Sequence, residues 1–266
     1  MLASKIVYLA SRNRKQLSVT QQKNSSKVLI LGSAPNVVAV HDIDVRTYDE
    51  IIVINNAWRV LESWTEHIFP YDFPPNNQPA LYSNGQRSID EKLFVKRQNE
   101  FGGFIYAGGT MAFTALYWAL GEHMPSEIHI LGCDMVYPDA GKTHFYGEGA
   151  PDPLREDFTL RDLYAKSARF MCLAAKNGCC TYNLSDQNSK LCFPRQSGNI
   201  DDNPVHFSIN HESVQSILDQ ENALGYFVTS GRYWEADLNV DLQALDKVDL
   251  QWKTLSKTIT NSYCEI

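Results

Sequence analysis

The chain has 266 residues, of which 44% are hydrophobic and 21% are charged, and its formal net charge is −7. This composition is that of an ordinary globular protein and excludes the disordered and fibrous classes. No apolar run approaches the roughly 20 residues that a membrane-spanning helix needs, and an acidic body argues against general nucleic-acid binding, which requires a basic face.

Positive charge is concentrated near the N-terminus. Residues 1–41 contain six Lys or Arg and no acidic residue, so the rest of the chain carries a formal charge of −13. The short apolar patch at residues 6–10 lacks the pattern of a signal peptide, so we expect a cytoplasmic protein. The basic arm, residues 1–26, leaves open a peripheral contact with an anionic membrane surface.

The cysteines show no metal-binding or disulfide pattern. There are six of them, without C-x-x-C spacing and without matching histidine pairs. We therefore expect small buried hydrophobic residues in a reducing compartment.

Apolar runs recur along the chain, with helical patterns between several of them. We predict strands at 27–31, 50–54, 79–82, 103–106, 127–131 and 179–184. The runs at 27–31 and 50–54 are continuous, which is typical of parallel strands covered on both faces. We predict helices at 110–120, which is apolar all round, and at 160–177, which has an amphipathic stripe and Thr159 as its cap.

This alternation predicts an α/β fold, a Rossmann-like, doubly wound and mostly parallel sheet whose ligands bind beyond the carboxyl ends of the strands. We expect a basic arm at 1–26, one main domain at 27–224 and a small C-terminal appendage at 225–266. Loops are predicted at 70–79, 137–158 and 185–206. The middle loop is long enough to be a lid or an acceptor-binding segment.

Two segments that follow predicted strands are candidates for binding a nucleotide. The first strand runs directly into the small residues Gly32-Ser33-Ala34-Pro35-Asn36. Small residues at a strand end let backbone N–H groups approach a phosphate, and a simple tight turn is the alternative. After the second strand, the amides of Asn55 and Asn56 can hydrogen-bond a base or a ribose, or only shape a turn.

A third segment, Gly108-Gly109-Thr110, precedes the predicted helix at 110–120. Two glycines allow close backbone approach, and Thr110 can cap the helix while its first N–H groups face an anion. The alternative is a glycine hinge in front of a core helix.

Residues that could carry chemistry follow the strand at 127–131. His144 lies in a loop near Asp134, Tyr137 and Tyr146, which makes it a candidate general base. Asp134 could orient a ligand, act as a nucleophile or cap a turn. Arg155 and Arg195 could bind a carboxylate or phosphate, with surface salt bridges as the alternative. No convincing D-x-D metal motif lies in the expected place, so no metal site is predicted.

These motifs resemble the bacterial sialyltransferases that use CMP-activated sialic acid, and the related Rossmann-like transferases of CMP-Kdo, over roughly residues 27–195. The family's G-x-G-P-S loop is matched by Gly32–Asn36, and its asparagine after the second strand by Asn56. Its remaining motifs are similar to Ala107–Thr110, to Gly132, Asp134 and Tyr137, and to Thr143–Gly147. Ala34 stands where the family has a second glycine, and Ala107 stands where it has a phosphate-binding serine.

The resemblance implies a metal-independent glycosyltransferase. It would move an ulosonic acid sugar of the sialic acid or Kdo type from a CMP-activated donor to a hydroxyl of a glycan or glycolipid acceptor. No cofactor besides the donor is implied, and the location would be cytoplasmic, with contact at the inner membrane face and a homo-oligomer both left open. Residues 32–36, Asn55 and Asn56 would bind CMP, Tyr137 and Tyr146 would hold its phosphate, and His144 would be the base.

Other hypotheses for the mechanism and the function remain open on the sequence alone. A retaining transfer would add Asp134 as a carboxylate nucleophile. A pterin pyrophosphokinase-like or motility-accessory protein would share such loops, but it would need ATP, Mg²⁺ and a carboxylate pair beside the phosphates. A non-catalytic nucleotide-sugar-binding protein would suit the alanines at 34 and 107.

Overall fold

Strands and helices alternate through the part of the chain that the computed structural model describes, residues 26–136, 142–147, 157–196 and 205–263. The strands are β1 (Lys27–Leu31), β2 (Glu50–Ile54), β3 (Glu66–Ile68), β4 (Arg87–Ile89), β5 (Glu127–Leu131), β6 (Cys180–Asn183), β7 (Val205–Ser208) and β8 (Thr260–Tyr263). The α-helices are α1 (Glu91–Glu100), α2 (Phe104–Ala107), α3 (Met111–His123), α4 (Leu163–Lys176), α5 (His211–Leu224) and α6 (Leu242–Ser256). Within these ranges, no helix combines the length and the apolar character that crossing a membrane requires.

The central sheet has six parallel strands in the spatial order β4-β3-β2-β1-β5-β6. The chain runs outward from β1 to β4 and then returns to the other side of β1 to form β5. Strand order therefore reverses between β1 and β5, and ligands of such sheets bind at that switch point, beyond the carboxyl ends of the strands. The predicted Rossmann-like α/β fold is confirmed, and β7 and β8 add a separate antiparallel pair.

Alternate residues of the central strands face two different layers of the core. Val28 and Ile30 of β1 pack into the large cluster that includes residues of α1, α3, α4, α5 and α6. Leu29 and Leu31 face the opposite side, where the 3₁₀ helix Pro35–Asp42 and nearby loops cover the sheet. Because both faces are covered, β1 is apolar at every position from Val28 onward, as expected of a buried parallel strand.

A buried ion pair joins the helices of the first layer. Arg169 of α4 donates to both carboxylate oxygens of Glu221 on α5, at 2.8 and 2.7 Å, and neither side chain is more than 3% exposed. The Tyr117 hydroxyl of α3 accepts from Arg169, and the Trp252 indole of α6 donates to Glu221, each at 2.7 Å. Every charged group thus has a polar partner, which a buried pair requires.

The segment at 225–266, predicted as an appendage, contributes α6 to this same core. Trp252 is fully buried, and Val248 and Leu255 belong to the large cluster. Residues 1–25 of the basic arm lie outside the described residues. The division of the chain into domains stays a prediction.

Two predicted strands are wrong, and other strands were not anticipated. Residues 79–82 have no regular structure and Leu81 is 87% exposed, so this run has no buried face. The run at 103–106 overlaps the short helix α2, because four apolar residues do not distinguish a strand from a buried helix. Strands β3 and β4 are three residues long and include the polar residues Glu66, His67 and Arg87, so they lack an apolar run.

The described cysteines are free, as expected for small core residues. Cys133, Cys172, Cys179 and Cys180 are buried and Cys192 is half-buried. Burial raises the pKa of the Cys192 thiol to about 11. This favours the thiol over the reactive thiolate.

We expect Gly132→Ala to destabilise the protein more than Gly178→Ala. Both glycines have φ of +74°, but a Cβ on Gly132 would lie 2.7 Å from the Val37 Cβ, whereas Gly178 has open space. The left-handed backbone alone costs about 1–2 kcal/mol for alanine, and overpacking adds about 1–3 kcal/mol at Gly132 only. Urea unfolding of both variants measures the difference, and equal losses would contradict the close packing.

Candidate functional site

The switch point is built around two backbone segments that pass very close to each other. The Gly32 N–H donates to Leu131 O at 2.8 Å, and the Ala34 N–H donates to Gly132 O at 3.1 Å. A Cβ on Gly32 would lie 2.3 Å from Gly132 O, so no other residue fits there without a shift. The loops after β1 and β5 therefore open into one common crevice.

That crevice is a cavity of about 310 Å³, here called the switch-point cavity. Its volume is at the lower end of the range for small-molecule sites, roughly 300–1,000 Å³. The structure brings together most of the predicted site residues along its wall: Gly32, Ser33, Ala34, Asn55, Asn56, Thr110, Asp134, His144 and Tyr146. The Pro-rich loop at 70–79 also contributes Phe73, Pro74 and Asn77, which the sequence had indicated only as a loop.

Asn55, which follows the end of β2, has a left-handed backbone conformation. Its φ is +51°, a left-handed geometry that is uncommon outside glycine, and Met135 on the same cavity has φ of +52°. The carbonyl oxygen of Asn55 accepts a 2.7 Å hydrogen bond from Nε2 of the fully buried His67, which holds this conformation. Such outliers occur preferentially at functional sites.

The side chains of Asn55 and Asn56 leave acceptors unused. The Oδ1 atom of each is buried and has no hydrogen-bond partner within the described residues. The Asn56 Nδ2 donates to the Tyr146 hydroxyl at 3.2 Å. The two residues line the cavity, and their side-chain amides could hydrogen-bond a ligand after a small change of rotamer.

The His144 loop is fixed against the end of β1. The Phe145 N–H donates to Ser33 O at 3.1 Å, and His144 and Gly147 exchange two backbone hydrogen bonds, both of 3.1 Å. The imidazole is buried, Nδ1 lies 2.9 Å from the Thr143 hydroxyl, and the ring stacks on Tyr146 with centroids 4.9 Å apart. A histidine held in one orientation at a cavity wall can exchange a proton with a bound ligand.

Asp134 follows the end of β5, and its buried carboxylate accepts three side-chain hydrogen bonds. Its Oδ2 accepts from Asn36 Nδ2 at 2.8 Å and from Ser185 Oγ at 2.6 Å, and its Oδ1 accepts from Asn183 Nδ2 at 3.1 Å. These donors come from the segment after β1 and from the end of β6. The carboxylate therefore joins three parts of the site.

Of the four residues before α3, residues 107–110, Thr110 alone lines the switch-point cavity. Thr110 caps α3 by accepting from the Phe113 N–H at 3.2 Å, and it lines the cavity together with Met111. The first N–H groups of a helix have no intrahelical acceptor and attract anions. A second cavity lies next to this one and shares Thr110 and Met111 with it. Gly109 lines that second cavity, and its N–H donates to the Thr159 hydroxyl at 3.0 Å. Gly108 lines neither cavity, and Ala107 is fully buried.

Two further predicted residues stand apart from the cavity. Arg195 donates to the backbone oxygens of Ser185 and Gln187 and lies 3.9 Å from Asp134, so it supports the loop after β6 and lines neither cavity. Tyr137 and Arg155 lie outside the described residues, so their predicted roles stay predictions. Asn183 and Ser185, which donate to the Asp134 carboxylate, were not predicted as site residues, because no local sequence pattern indicates such a tertiary contact.

The switch-point cavity offers neutral donors rather than cations. Among the described residues that line it, Asp134 is the one carboxylate, and no lysine or arginine is present. The cluster with metal-ligand spacing in the described ranges is Glu50, Glu66 and His123, which includes the first residues of β2 and β3 and so lies at the opposite edge of the sheet. Glu66 already accepts from Arg87 and Trp118.

In comparisons with known proteins, no protein-family model, no curated protein and no solved structure matches the chain.

We expect His67 to make stability depend on pH in the mildly acidic range. Burial lowers the pKa of His67 from 6.5 to about 4. The unfolded chain therefore binds more protons than the folded protein between these values, and the free energy of unfolding falls as pH is lowered from 6.5 towards 4. In His67→Gln, whose amide can replace the donor to Asn55, this loss should disappear.

Urea unfolding at pH 7 and pH 5 of both proteins measures the effect. Other titrating groups are common to the two proteins, so the difference between them isolates His67. An equal loss of stability on acidification in the wild type and in His67→Gln would show that His67 does not cause it.

Proposed function

We propose that this protein is a glycosyltransferase that moves an ulosonic acid sugar, of the sialic acid or Kdo type, from a CMP-activated donor to a hydroxyl group of a glycan acceptor. The observation that carries the proposal is the meeting of residues 32–34, Asn55, Asn56, His144 and Tyr146 in one cavity at the switch point. These residues also carry the motifs that resemble those of CMP-sugar transferases.

The polar groups of the cavity suit a nucleoside monophosphate diester. The side-chain amides of Asn55 and Asn56, which line the cavity, would hydrogen-bond the cytosine amino group or the ribose hydroxyls. The first backbone N–H groups of α3 would face the phosphate. The N–H groups of Gly32 and Ala34 already donate to the backbone carbonyls of residues 131 and 132, and so position the loop. A phosphodiester carries a single negative charge, so neutral donors can hold it without an arginine or lysine clamp.

The chemical step needs one base and a stabilised leaving group. The acceptor hydroxyl oxygen bonds to the anomeric carbon, and the bond from that carbon to the phosphate oxygen of CMP breaks, with its electron pair leaving on CMP. The hydroxyl proton passes to the imidazole of His144, which the Thr143 hydroxyl and the Tyr146 ring orient. Tyr146 would donate to the phosphate as negative charge develops there.

Asp134 has a positioning role in this proposal. Its carboxylate already accepts from Asn36, Ser185 and Asn183, and these bonds would weaken if it formed a covalent bond to a sugar. Its contact with Asn36 instead fixes the end of the loop that follows β1. A single base, His144, favours transfer with inversion at the anomeric carbon.

The alternatives fit the described residues less well. A pyrophosphokinase reaction needs carboxylates that hold Mg²⁺ beside the phosphates, whereas the acidic cluster of the described ranges lies at the other edge of the sheet. A protein that only binds the nucleotide sugar has no need of a histidine fixed by Thr143 and stacked on Tyr146.

We expect His144→Ala to retain CMP binding and to lose transfer by about 10²- to 10⁴-fold, the usual contribution of a general base. CMP release from CMP-sialic acid and from CMP-Kdo, each with a mixed glycan acceptor pool, measures turnover, and calorimetry measures CMP binding. His211→Ala, which changes an exposed histidine at the start of α5, is the matched control and should behave as wild type.

The main proposal fails if wild-type protein neither binds CMP nor releases it from either donor. Turnover of ATP with Mg²⁺ in the same assay would support the pyrophosphokinase alternative. Tight CMP binding without any turnover would support the non-catalytic one, and unchanged activity in His144→Ala would overturn only the assignment of the base.

We expect Tyr146→Phe to lower the rate of transfer while leaving the stack on His144 in place. Loss of one donor to a developing anion typically reduces kcat about 10²- to 10³-fold. Because the hydroxyl would act mainly in the transition state, KM for the donor should change much less than kcat. Steady-state kinetics separate the two, and a rise in KM with unchanged kcat would show that Tyr146 binds the ground state and the transition state equally.

A further inference from the structure

A second cavity, of about 290 Å³, shares a wall with the switch-point cavity. It lies between the loop at 70–74, helix α1 and the segment at 230–234, and is here called the aromatic cavity. The residues common to both cavities are Asn55, Phe73, Pro74, Thr110 and Met111. A group bound in the aromatic cavity would therefore lie next to a group bound at the switch point.

Two exposed aromatic side chains form the outer part of this cavity. Tyr71 is 57% exposed and Trp234 is 48% exposed, and their rings stack with centroids 6.4 Å apart and planes 15° apart. The Arg232 guanidinium lies 4.6 Å from the centre of the Tyr71 ring and donates to both carboxylate oxygens of Glu91, at 3.0 and 3.2 Å. The stack is thus attached to α1 through an ion pair.

Tyr71 and Trp234 form an exposed apolar patch beside a cavity, and such patches mark binding sites more often than single exposed rings do. The flat apolar faces of these two rings suit a ligand with an apolar face of similar size, while nearby polar groups bind its edges. A pyranose ring has this character, because its C–H bonds form apolar faces and its hydroxyl groups lie at the rim.

Charge distinguishes which sugar would bind here. The charged groups among the described residues that line the aromatic cavity are the carboxylates of Asp72 and Glu91 and the guanidinium of Arg232, a formal charge of −1. Since Arg232 is already paired with Glu91, the exposed carboxylate of Asp72 is the charge that a ligand would meet. At the switch point, by contrast, the carboxylate of Asp134 is buried and accepts from three neutral donors. The donor carries both a carboxylate and a phosphate, so it is disfavoured in the aromatic cavity, whereas a neutral sugar is not.

We propose that the aromatic cavity is the acceptor subsite and binds a neutral sugar ring of the acceptor oligosaccharide. This inference rests on the transferase function proposed above. The acceptor ring lies beside the Tyr71–Trp234 pair, in contact with its exposed side, and its reacting hydroxyl lies at the wall shared with the switch-point cavity. Glu91 and Asp72 accept hydrogen bonds from its other hydroxyl groups.

The acceptor is longer than one sugar. At its outer end the aromatic cavity continues into an open groove of about 560 Å³ along α1, which shares Glu91, Val95, Ser230 and Arg232 with it. A second and third sugar unit can lie in this groove. The acceptor is therefore an oligosaccharide rather than a monosaccharide, with a neutral ring in the aromatic cavity and its outer units in a groove that Lys92 and Lys96 also line.

The test uses the full chain and neutral oligosaccharide probes. Saturation-transfer NMR with lactose, maltotriose and chitotriose, each with CMP present, detects binding, and acceptor-independent CMP release measures the donor side separately. In Trp234→Ala and Tyr71→Ala we expect oligosaccharide binding to weaken at least about tenfold, since an aromatic contact is lost. CMP binding and acceptor-independent CMP release should stay within about twofold, because neither side chain lines the switch-point cavity.

Phe227→Ala is the matched control. Phe227 is also 48% exposed, but it lies against Gly103 outside the aromatic cavity, so oligosaccharide binding should be unchanged. Thermal unfolding of all variants checks that they are folded.

The outcomes separate this inference from the proposed function. If wild type binds CMP but none of the three oligosaccharides, or if Trp234→Ala and Tyr71→Ala bind them as wild type does, the acceptor subsite is wrong and the transferase proposal stands. Oligosaccharide binding that is lost in Trp234→Ala, together with no CMP binding, would uphold the sugar site and overturn the transferase.

Discussion

The close passage of the backbone at Gly32 and Gly132 is the constraint on which the site depends. Because no Cβ fits between these two segments, the ends of β1 and β5 come nearer than side chains would allow. This proximity places Ser33 and Asp134 on the same cavity, and the Ser33 carbonyl then accepts from the Phe145 N–H. The position of His144 thus follows from two glycines that carry no chemistry themselves.

Hydrogen bonds to Asp134 fix the polar side chains around the cavity in one orientation. A carboxylate that is only 5% exposed must be hydrogen-bonded, and here three neutral side chains provide the donors. The same bonds fix Asn36 and the segment after β6, so the groups around the cavity are oriented before any ligand arrives. Preorganised dipoles of this kind stabilise developing charge more effectively than mobile ones.

Sequence patterns predicted the parts of this site that depend on local structure. β1, β2 and β5 were identified because strands covered on both faces are apolar, and the residues that follow them reach the switch point by topology alone. β3 and β4 were not identified, since Glu66, His67 and Arg87 have tertiary partners that no short pattern reveals. The aromatic cavity was missed for the same reason, because Tyr71 and Trp234 are far apart in sequence and meet only in the fold.

The two cavities have the same formal charge of −1 among their described lining residues, but they differ in how the carboxylates are placed, and that difference orders the substrates of the proposed reaction. At the switch point the carboxylate of Asp134 is buried and accepts from three neutral donors, whereas the carboxylate of Asp72 in the aromatic cavity is exposed and disfavours an anion there. A donor with two negative groups would therefore keep both of them on the switch-point side, and a neutral acceptor would occupy the other. The anomeric carbon and the acceptor hydroxyl would then meet at the shared wall of Asn55, Thr110 and Met111. The strained backbone of Asn55 lies at that wall, where a misplaced atom would affect both substrates at once.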